Sequence, residues 1–566
     1  MAMAGLVFSL IFGVSLALFG WFHPALTWLA AIPLFGSFGL ALYTHYRTED
    51  WSRIFVIGGL ILLATLTVWR AEPTVFSGRD QGSIALAAWE LAQGHELAFR
   101  TPASEAFFVI YGPGQALNFP GFAYTSTGAL ITQFPLAYTT FLALFVSWFG
   151  LTGLLIANAT LFIFSGWSFF ELCSLFVTRR NAILGTVLFA TSFLTLWLAQ
   201  ITLTENLALT LFLLLAVALV QYEREETKRY LPLILGAGFL LALTRIEGFV
   251  IAPLALLFLL FRPALRDKLF ALPKRWTIPI LLFLAFLFLR DLFMNLPFYT
   301  MIGKAAVKFW HELGATATTR SEPPLGPVFI TYGLFPTFVL GSVALVSGIL
   351  RKRFALLIPV LLALPTGIYL FNGHISDDHP WLLRRYAFSL YPIFLLATVV
   401  LWQSVAHRCS QRWQQRIAIG SFIILFVLQV GPAWQSLSII EYQALLPQMQ
   451  RFGNQFTTRD LLLVDRLATG DPFTMLAGPL MSLEGKNAVY FFNPEDYARL
   501  PRENFDHVYL LTTEDDISRF AETFGEHLLP IAVSTFSFPV LSAPKPFSPP
   551  IEKTVSRDAI LFEITP

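Results

Sequence analysis

Charged residues are scarce in this chain of 566 residues. Asp, Glu, Lys and Arg together make up 13% of it, whereas they make up about a quarter of a typical soluble domain. Apolar residues make up 56%, which excludes an ordinary soluble protein and indicates a polytopic membrane protein. The chain also has no basic tail or arginine-rich run, and its net charge is only +2. We therefore expect no nucleic-acid partner.

Cysteine is almost absent. Cys173 and Cys409 are the only two, and both fall near helix ends that we predict to be cytoplasmic. The exported parts of the chain are therefore expected to have no disulfide, and neither cysteine indicates a metal site. The N-terminus lacks the basic segment and the clear cleavage site of a signal peptide, so it is predicted to be a retained first span.

Long apolar runs are what the chain does have. A helix needs about 20 apolar residues to cross about 30 Å of hydrocarbon, and we predict about 13 transmembrane helices on that basis. Several runs are shorter than this, so neighbouring helices must merge or tilt. The predicted spans lie near 5–21, 25–43, 54–70, 152–177, 182–199, 204–221, 231–244, 248–261, 277–290, 334–350, 354–371, 386–406 and 417–435.

Loops rich in Lys and Arg alternate with loops that are poorer in these residues or much longer. Placing the basic loops, such as HYRTEDWSR, TRRN and RKR, in the cytoplasm gives one consistent topology with a cytoplasmic N-terminus. The external side then receives residues 71–151, 291–333 and 372–385 and everything from 437 onward. We therefore predict a multi-pass protein of the plasma (inner) membrane with an external, or periplasmic, C-terminal domain.

The first external loop is predicted to contain two interfacial helices. Asp80 lies just beyond the third span, and residues 82–94 place their apolar side chains largely on one face. This segment is therefore predicted to lie along the membrane surface. Residues 130–150 are long enough to cross the membrane, but a crossing there would break the charge alternation. We predict a second interfacial helix instead.

The chain divides into three parts by composition. Residues 1–53 form two N-terminal helices, and residues 54–436 form the main membrane domain with the three external loops. In 437–566 charge rises, and the strand-like segments DLLLVD, NAVYFF, DHVYLLT and AILFEI alternate with helical patterns. This part is predicted to be a small external α/β domain. Its segment ATGDPFTMLAG lacks the glycine spacing of a phosphate-binding loop.

A series of weak motifs follows in a fixed order through residues 54–405. The motifs are Asp80-Gln81-Gly82, ALAAWELAQG, QFPLAYTTFLALFVSWFG, LTGLLIANATLFIFSGWSFFEL, QITLTENLALTLFLLLAVAL, GAGFLLALTRIEGFVIAPLALL and LLRRYAFSLYPIFLL. In this order and topology they resemble the GT-C superfamily of integral-membrane glycosyltransferases. The pattern is most similar to the protein O-mannosyltransferases and to the bacterial enzymes that move sugars, such as aminoarabinose, from polyprenyl phosphate.

Three departures from the family pattern limit what this resemblance implies. Two extra spans precede the acidic motif, and Gln81 stands where the mannosyltransferases commonly have a second acidic residue. The lysine-proline element of the aminoarabinose branch is absent, with Gln133 before Phe134-Pro135. The resemblance therefore implies sugar transfer from a polyprenyl-phosphate donor to a hydroxyl of a lipid, glycan or protein acceptor, but no particular sugar. The C-terminal domain is then expected to bind the acceptor or to close the cavity.

The resemblance also implies roles for charged residues at the external helix ends. Asp80 is expected to be the general base that the acceptor hydroxyl needs. The leaving phosphate needs positive charge rather than an acid partner, and Arg245, Arg384, Arg385 and Tyr386 are expected to hold it. Each residue also has an ordinary structural explanation, which is a helix cap, an arginine reaching lipid headgroups, or a salt bridge.

Five further residues are candidates for lining the external cavity. Glu205 and Glu247 lie at external turns, and the alternatives for them are stabilisation of a helix N-terminus and a salt bridge. Lys304, Lys308 and His311 are spaced along one face of a predicted helix in the external loop 291–333. For these three the alternative is a solvated helix face.

One external segment, NGHISDDHPW, has the composition of a cation site. Its candidate ligands are His374, Asp377, Asp378 and His379. Clustered carboxylates favour Mg²⁺ or Mn²⁺, and histidine adds affinity for manganese or zinc. A divalent cation is the only cofactor that the sequence suggests. Most acidic clusters in loops are simply solvated.

Two other functions compete with sugar transfer. A lipid or solute transporter would place ionisable groups near the membrane midplane, often in paired repeats. The chain has no convincing internal repeat and most of its charges lie at helix ends, but Glu171 lies within the fourth span and is an exception. A catalytically silent relative could instead scaffold a cell-envelope complex through residues 437–566. Uptake or flipping in proteoliposomes without glycosylation of an acceptor would favour the transporter. Function that is retained after substitution of Asp80 but lost on deletion of residues 440–566 would favour the scaffold.

Overall fold

The computed structural model describes most of the chain. Its described residues are all except 263–265, 268, 270, 272, 297, 298, 302, 305, 306, 308–324, 351–353, 371–378, 407–410, 543–547 and 566. Within them the architecture is a large helical membrane part followed by a small α/β domain, which confirms the predicted class of fold.

The membrane part consists of helices with a short four-stranded sheet in the first external loop. The sheet has the strand order β1-β4-β3-β2, with β1 (Ala98–Phe99), β2 (Gly114–Gln115), β3 (Phe122–Tyr124) and β4 (Leu130–Thr132). The helices are α1 (Ala2–Phe19), α2 (Pro24–Arg47), α3 (Trp51–Trp69), α4 (Asp80–Gly94), α5 (Pro102–Tyr111), α6 (Leu136–Phe149), α7 (Gly153–Ser174), α8 (Arg179–Ala190), α9 (Phe193–Gln200), α10 (Thr204–Glu225), α11 (Leu231–Ala242), α12 (Gly248–Phe261), α13 (Lys274–Met294), α14 (Leu325–Thr331), α15 (Phe335–Leu350), α16 (Phe354–Ala363), α17 (Arg384–Ala387), α18 (Leu390–Ala406) and α19 (Gln411–Ser438).

The described part of the chain contains fewer long apolar helices than the predicted number of spans. In the described part of the chain, 7 helices are long and apolar enough to cross a membrane, or up to 10 if each bent pair is one span. The count of about 13 is therefore not confirmed. Several of the predicted spans are short helices, such as α11 with 12 residues and α16 with 10 residues.

The predicted span 182–199 is bent by 54° between α8 and α9. Ser192 begins the second helix, because its side chain accepts a hydrogen bond from the Thr195 N–H. The break leaves backbone groups at the end of α8 without helical partners. The amide of Gln429 on α19 donates to the Leu188 carbonyl at 2.9 Å and to the Thr191 hydroxyl at 2.9 Å. A bend inside the bundle is tolerated because a neighbouring helix supplies these hydrogen bonds.

The segment 130–150, predicted to be a second interfacial helix, packs inside the helical part of the protein. These residues form β4 and then α6, which has 14 residues, too few to cross about 30 Å of hydrocarbon alone. The Tyr138 hydroxyl donates to Asn158 Oδ1 at 2.6 Å, so α6 folds back against α7. Its residues from Leu136 to Val146 are all buried. The segment is apolar on every side, and such a helix belongs in the interior rather than on a surface.

The other predicted interfacial helix is buried as well. Nearly all of α4 from Gln81 to Ala92 is inaccessible to solvent. One side packs on α6 and the other on a helix of the C-terminal domain, where Leu86 contacts the backbone at Gly478. The helix therefore lies between the bundle and the C-terminal domain instead of facing lipid headgroups. The apolar stripe predicted only that one face of the helix would be buried. The other face is buried by the C-terminal domain, a distant part of the chain.

The C-terminal domain has a five-stranded mixed sheet with the order β6-β5-β7-β9-β8. β5 is parallel to β6 and β7, and β9 is antiparallel to β7 and β8. The elements are α20 (Leu445–Gly453), β5 (Leu461–Val464), α21 (Ala477–Glu484), β6 (Asn487–Tyr490), β7 (Val508–Thr512), α22 (Ile517–Phe524), β8 (Leu528–Ser542) and β9 (Ile551–Ile564). The four predicted strand segments correspond to β5, β6, β7 and the end of β9. β8 was not predicted, because Pro530 and Pro539 interrupt its pattern, and an edge strand tolerates proline.

Backbone hydrogen bonds join the C-terminal domain to the segment just before α4. The Gly78 N–H donates to the Phe473 carbonyl at 2.6 Å, and the Met475 N–H donates to the Phe76 carbonyl at 2.8 Å. A Cβ atom at Gly78 would lie 3.1 Å from Met475 Cγ and 3.2 Å from the Phe473 carbonyl oxygen. A side chain at position 78 would crowd these atoms, so the two segments meet closely beside Asp80.

Candidate active site

Charged residues from four separate parts of the chain meet at one end of the helical bundle. Asp80 is the first residue of α4, and Glu205 is the second residue of α10. Arg245 and Glu247 lie in the tight turn between α11 and α12, and Arg384 begins α17. We call this group, with Arg385, the outer cluster. Sequence analysis selected all six residues, and the structure brings them together.

Local packing fixes each helix start. A Cβ atom at Gly82 would collide with the Ser77 carbonyl oxygen, so the first turn of α4 packs tightly on the preceding loop. A Cβ atom at Gly248 would collide with the Leu241 carbonyl oxygen, which keeps the turn between α11 and α12 short. Glycines at these two positions therefore set where Asp80 and Glu247 project.

Asp80 and Arg384 form the solvent-facing edge of the cluster. Arg384 Nη1 donates to Asp80 Oδ2 at 2.5 Å. The Asp80 side chain is 43% exposed, whereas that of Arg384 is only 10% exposed. Asp80 is therefore the carboxylate of the cluster that an incoming molecule can reach, and Arg384 connects it to the buried part.

Arg245 is the centre of the buried part. Its Nη1 lies 2.5 Å from Glu205 Oε1, and Glu205 is 1% exposed. Arg245 also makes a two-pronged contact with Glu247, with Nε to Oε2 at 3.0 Å and Nη2 to Oε1 at 2.8 Å. The planar guanidinium fork matches the carboxylate. The predicted alternative of a salt bridge at this turn is therefore present, and it extends inward to Glu205.

Arg385 joins the cluster through Tyr369. The Tyr369 hydroxyl donates to Glu247 Oε1 at 2.8 Å, and Arg385 Nη1 donates to the Tyr369 hydroxyl at 3.2 Å. Arg385 Nη1 also lies 3.7 Å from Glu247 Oε1. The Tyr386 hydroxyl donates to the Tyr369 backbone carbonyl at 2.7 Å. The Tyr386 hydroxyl is thus directed at the backbone that carries Tyr369.

The outer cluster contains three carboxylates and three guanidinium groups, yet two N–H donors are unused. Arg384 Nε and Arg385 Nε are buried and have no hydrogen-bond partner among the described residues. Arg384 Nε lies 3.9 Å from Glu205 Oε1, which is a charge contact but not a hydrogen bond. Buried polar groups are normally satisfied, so unused guanidinium donors indicate a place for an anionic ligand.

The other predicted site residues are those of the external loop 291–333 and of the candidate cation site. Lys308, His311, His374, Asp377 and Asp378 lie outside the described residues. Lys304 is exposed on a helical segment of its loop.

His379 is buried, and its Nδ1 pairs with the Tyr332 hydroxyl at 2.8 Å. Within the described residues there is no group of three His, Cys, Asp or Glu side chains arranged to hold a metal ion. The only described member of the predicted cation site is therefore engaged with the bundle.

Three residues beside the cluster were not predicted to belong to the site. The Arg79 guanidinium lies over the rings of Trp381 and Phe473, at 4.8 and 3.9 Å from their centres. The Arg384 guanidinium lies 4.4 Å from the centre of the same Trp381 ring. Arg79 therefore contacts aromatic rings from both the membrane part and the C-terminal domain. Only the position of Trp381 three residues before Arg384 could have indicated a role.

Comparison with known proteins gives solved structures only, since no family model and no curated protein matches the chain. ArnT from Cupriavidus metallidurans in the apo state has 12% identity and a TM-score of 0.47, over 92% of this chain and 98% of that chain. The apo oligosaccharyltransferase from Archaeoglobus fulgidus has 13% identity and a TM-score of 0.49, over 90% and 76%. The archaeal AglB with an inhibitory peptide and a dolichol-phosphate has 11% identity and a TM-score of 0.46, over 82% and 69%.

These neighbours are GT-C membrane glycosyltransferases, the superfamily that the order of the sequence motifs resembles. Their TM-scores lie below 0.5. The function proposed next is therefore based on the residues of this chain and not on its neighbours.

Proposed function

We propose that this chain is a membrane glycosyltransferase that moves a sugar from a polyprenyl-phosphate donor to an acceptor hydroxyl at the external membrane face. The observation that carries the proposal is the outer cluster. It combines one accessible carboxylate, Asp80, with three arginines, two of which have unused donors. In this proposal residues 54–436 form the catalytic domain, the N-terminus is cytoplasmic and residues 437–566 are external.

The chemistry needs few groups. The acceptor oxygen attacks the anomeric carbon, the bond from that carbon to the phosphate oxygen breaks, and the acceptor proton passes to Asp80. The lipid phosphate leaves with increased negative charge and needs cations close to it. The guanidinium groups of Arg384 and Arg385 are those cations, and their unused N–H groups can donate to the phosphate. Arg245, which is more deeply buried, adds positive charge without contacting the phosphate directly.

Glu205 and Glu247 are positioning residues in this scheme. Three arginines held close together repel one another, and buried carboxylates between them offset that repulsion. Glu205 lies 2.5 Å from Arg245, and Glu247 receives both Arg245 and Tyr369. The carboxylates therefore hold the arginines in place without closing the side from which a phosphate would approach.

Asp80→Asn is the direct test. The variant cannot take up a proton at this position, so transfer of a labelled sugar from polyprenyl phosphate in proteoliposomes is expected to fall by about 10² to 10⁴-fold. Asp506→Asn, at an exposed position of the C-terminal domain, is the matched control and is expected to behave as wild type. Normal turnover by Asp80→Asn, in protein that inserts and purifies normally, would refute the proposal.

The transporter alternative rested on the unexplained Glu171. In the structure Arg53 Nε donates to Glu171 Oε1 at 2.6 Å and Arg53 Nη2 donates to Oε2 at 2.8 Å. Trp167 Nε1 donates to the same carboxylate at 3.1 Å. Glu171 therefore has a structural partner, and its presence in a span no longer favours transport.

A further inference from the structure

A second cavity lies next to the outer cluster, between the membrane part and the C-terminal domain. Its volume is about 250 Å³, a size that suits a single small ring better than a lipid chain. Its main lining residues are Arg79, Trp197 and Trp381 from the membrane part and Glu441, Asp471 and Phe473 from the C-terminal part. Neither part of the chain forms this cavity alone.

Aromatic rings supply much of the wall. Trp197 and Trp381 meet edge to face, with ring centres 6.3 Å apart. Phe473 also lines the cavity, has the Arg79 guanidinium 3.9 Å from its ring centre, and is 42% exposed. The exposed part of the Phe473 ring borders the cavity. Flat apolar surfaces of this kind fit the C–H face of a sugar ring.

Two carboxyl groups and two cations supply the polar wall. Glu441 Oε1 accepts the Leu541 N–H at 3.0 Å, and Asp471 Oδ2 accepts the Thr474 hydroxyl at 2.6 Å. These hydrogen bonds orient the carboxyl groups, which border the cavity together with Arg79 and Lys553. Burial raises the pKa of Glu441 to about 7, so near neutral pH this group can either donate or accept a hydrogen bond. Such mixed donors and acceptors match a ring that carries several hydroxyls.

The cavity is coupled to Asp80 by short connections. Arg79 and Gln81, on either side of Asp80, both line it. The Trp381 ring contacts Arg79 and also Arg384, the partner of Asp80. Only the Trp381 side chain would thus separate a ring bound in this cavity from Arg384, which is proposed to bind the phosphate, and from its partner Asp80, which is proposed to accept the proton.

We propose that this cavity is a saccharide-binding site that holds one sugar ring for the transfer reaction. The inference rests on the proposed function, because the sugar belongs either to the lipid-linked donor or to a glycan acceptor. The two sources share the same recognition chemistry, which is apolar contact with the exposed part of Phe473 and hydrogen bonding to Glu441 and Asp471.

The first experiment measures sugar binding directly. The full chain, purified in detergent, is titrated with a panel of methyl pyranosides and observed by saturation-transfer NMR. Binding of at least one glycoside is expected, and Phe473→Ala is expected to weaken it by up to about tenfold. Asp471→Asn is expected to weaken it as well. Phe492→Ala and Asp506→Asn are the matched controls in the same domain, at positions that do not line the cavity, and are expected to bind as wild type does.

The second experiment distinguishes the two sources of the sugar. Undecaprenyl phosphate carrying a hexose is added to wild-type protein that is saturated with the best glycoside. Displacement of the glycoside would assign the cavity to the donor sugar, and simultaneous binding would assign it to the acceptor. Undecaprenyl phosphate without a sugar is the control and is expected to leave the glycoside bound.

The two proposals can fail separately. Asp80→Asn is expected to abolish transfer but to keep glycoside binding, since Asp80 does not line the cavity. Absence of saturation transfer from every glycoside in the panel would overturn the saccharide site even if sugar transfer were demonstrated. Equal binding by wild type and by folded Phe473→Ala and Asp471→Asn would overturn it too.

Discussion

The two ends of the helical bundle each contain a cluster of charged residues, and the clusters differ in how completely their donors are used. At the end opposite the outer cluster, Arg53 engages Glu171 through two nitrogens and Asp50 through the third. Arg179 reaches the same Asp50 and also Ser52. We call this group the inner cluster. Every guanidinium nitrogen of Arg53 has a partner.

The outer cluster has as many carboxylates as arginines and still leaves donors unused. Arg384 Nε and Arg385 Nε have no hydrogen-bond partner in the described structure, while Asp80 is 43% exposed. Equal numbers of charges therefore do not imply equal roles. Where every guanidinium donor has a partner, as for Arg53, the arginine is expected to stabilise the fold. Where donors are unused beside an accessible carboxylate, as in the outer cluster, the arginines are expected to bind a ligand.

The largest expected effect is at the buried part of the outer cluster, which we predict to resemble the inner cluster in its importance for folding. Arg245→Gln would leave Glu205 and Glu247 buried without their main cation. The free energy of unfolding is expected to fall by about 3–5 kcal/mol, seen as a lower Tm and yield of purified protein. Arg459→Gln, at an exposed position, is the control. An Arg245→Gln protein as stable as wild type would contradict the prediction that the buried part of the outer cluster is important for folding.

Arg384→Gln is expected to separate activity from stability. Its partner Asp80 is accessible and can be hydrated when the arginine is gone, so the Tm is expected to change little. Sugar transfer is expected to fall by about 10² to 10³-fold, because one cation beside the leaving phosphate is removed. Arg384→Lys is expected to recover part of the rate, since it restores the charge but not the guanidinium fork. Full activity in Arg384→Gln would contradict the proposal that the arginines of the outer cluster bind the leaving phosphate.

Arg53→Gln is the counterpart in the inner cluster. It would leave the Glu171 carboxylate with the Trp167 N–H and no cation in hydrogen-bond contact, at an expected cost of about 1–3 kcal/mol. Transfer by the fraction that remains folded is expected to equal wild type. The double variant Arg53→Gln/Glu171→Gln is expected to recover stability, because the unpaired charge is removed. Loss of transfer without loss of Tm would show that the inner cluster also serves activity.

The smallest expected effect is at Glu441, a partly buried carboxyl that accepts a hydrogen bond from a backbone N–H rather than from an arginine. Burial and the nearby Asp471 raise its pKa to about 7, from an ordinary value of 4.5, although Arg79 opposes the shift. Because the folded state prefers the protonated form, this stabilisation is fully present below pH 4.5 and is lost as pH rises through about 7. The Tm of wild type is expected to fall across this window more than that of Glu441→Gln. Identical profiles would contradict the pKa.

The candidate site was predictable to a useful extent because its residues occur at helix ends. Lys, Arg, Asp and Glu are costly within hydrocarbon, so the few that occur in apolar sequence stand out. Asp80, Arg245 and Arg384 were selected on that basis together with the motif order. Their pairing was not predictable, since Asp80 and Arg384 are separated by 304 residues in the chain. Tyr369 and Trp381 gave no signal because aromatic residues are common throughout this sequence.

By itself the sequence determined that the chain is a multi-helix membrane protein with an α/β domain at its C-terminus, because apolar run length and charge distribution follow directly from the cost of placing polar groups in lipid. Only the tertiary structure decided that α4 and α6 are interior helices, that β8 completes the sheet, and that Arg79 contacts the rings of Trp381 and Phe473. Those features depend on surfaces from distant segments covering one another. A local pattern reports that a face is apolar, but it does not report what will pack against it.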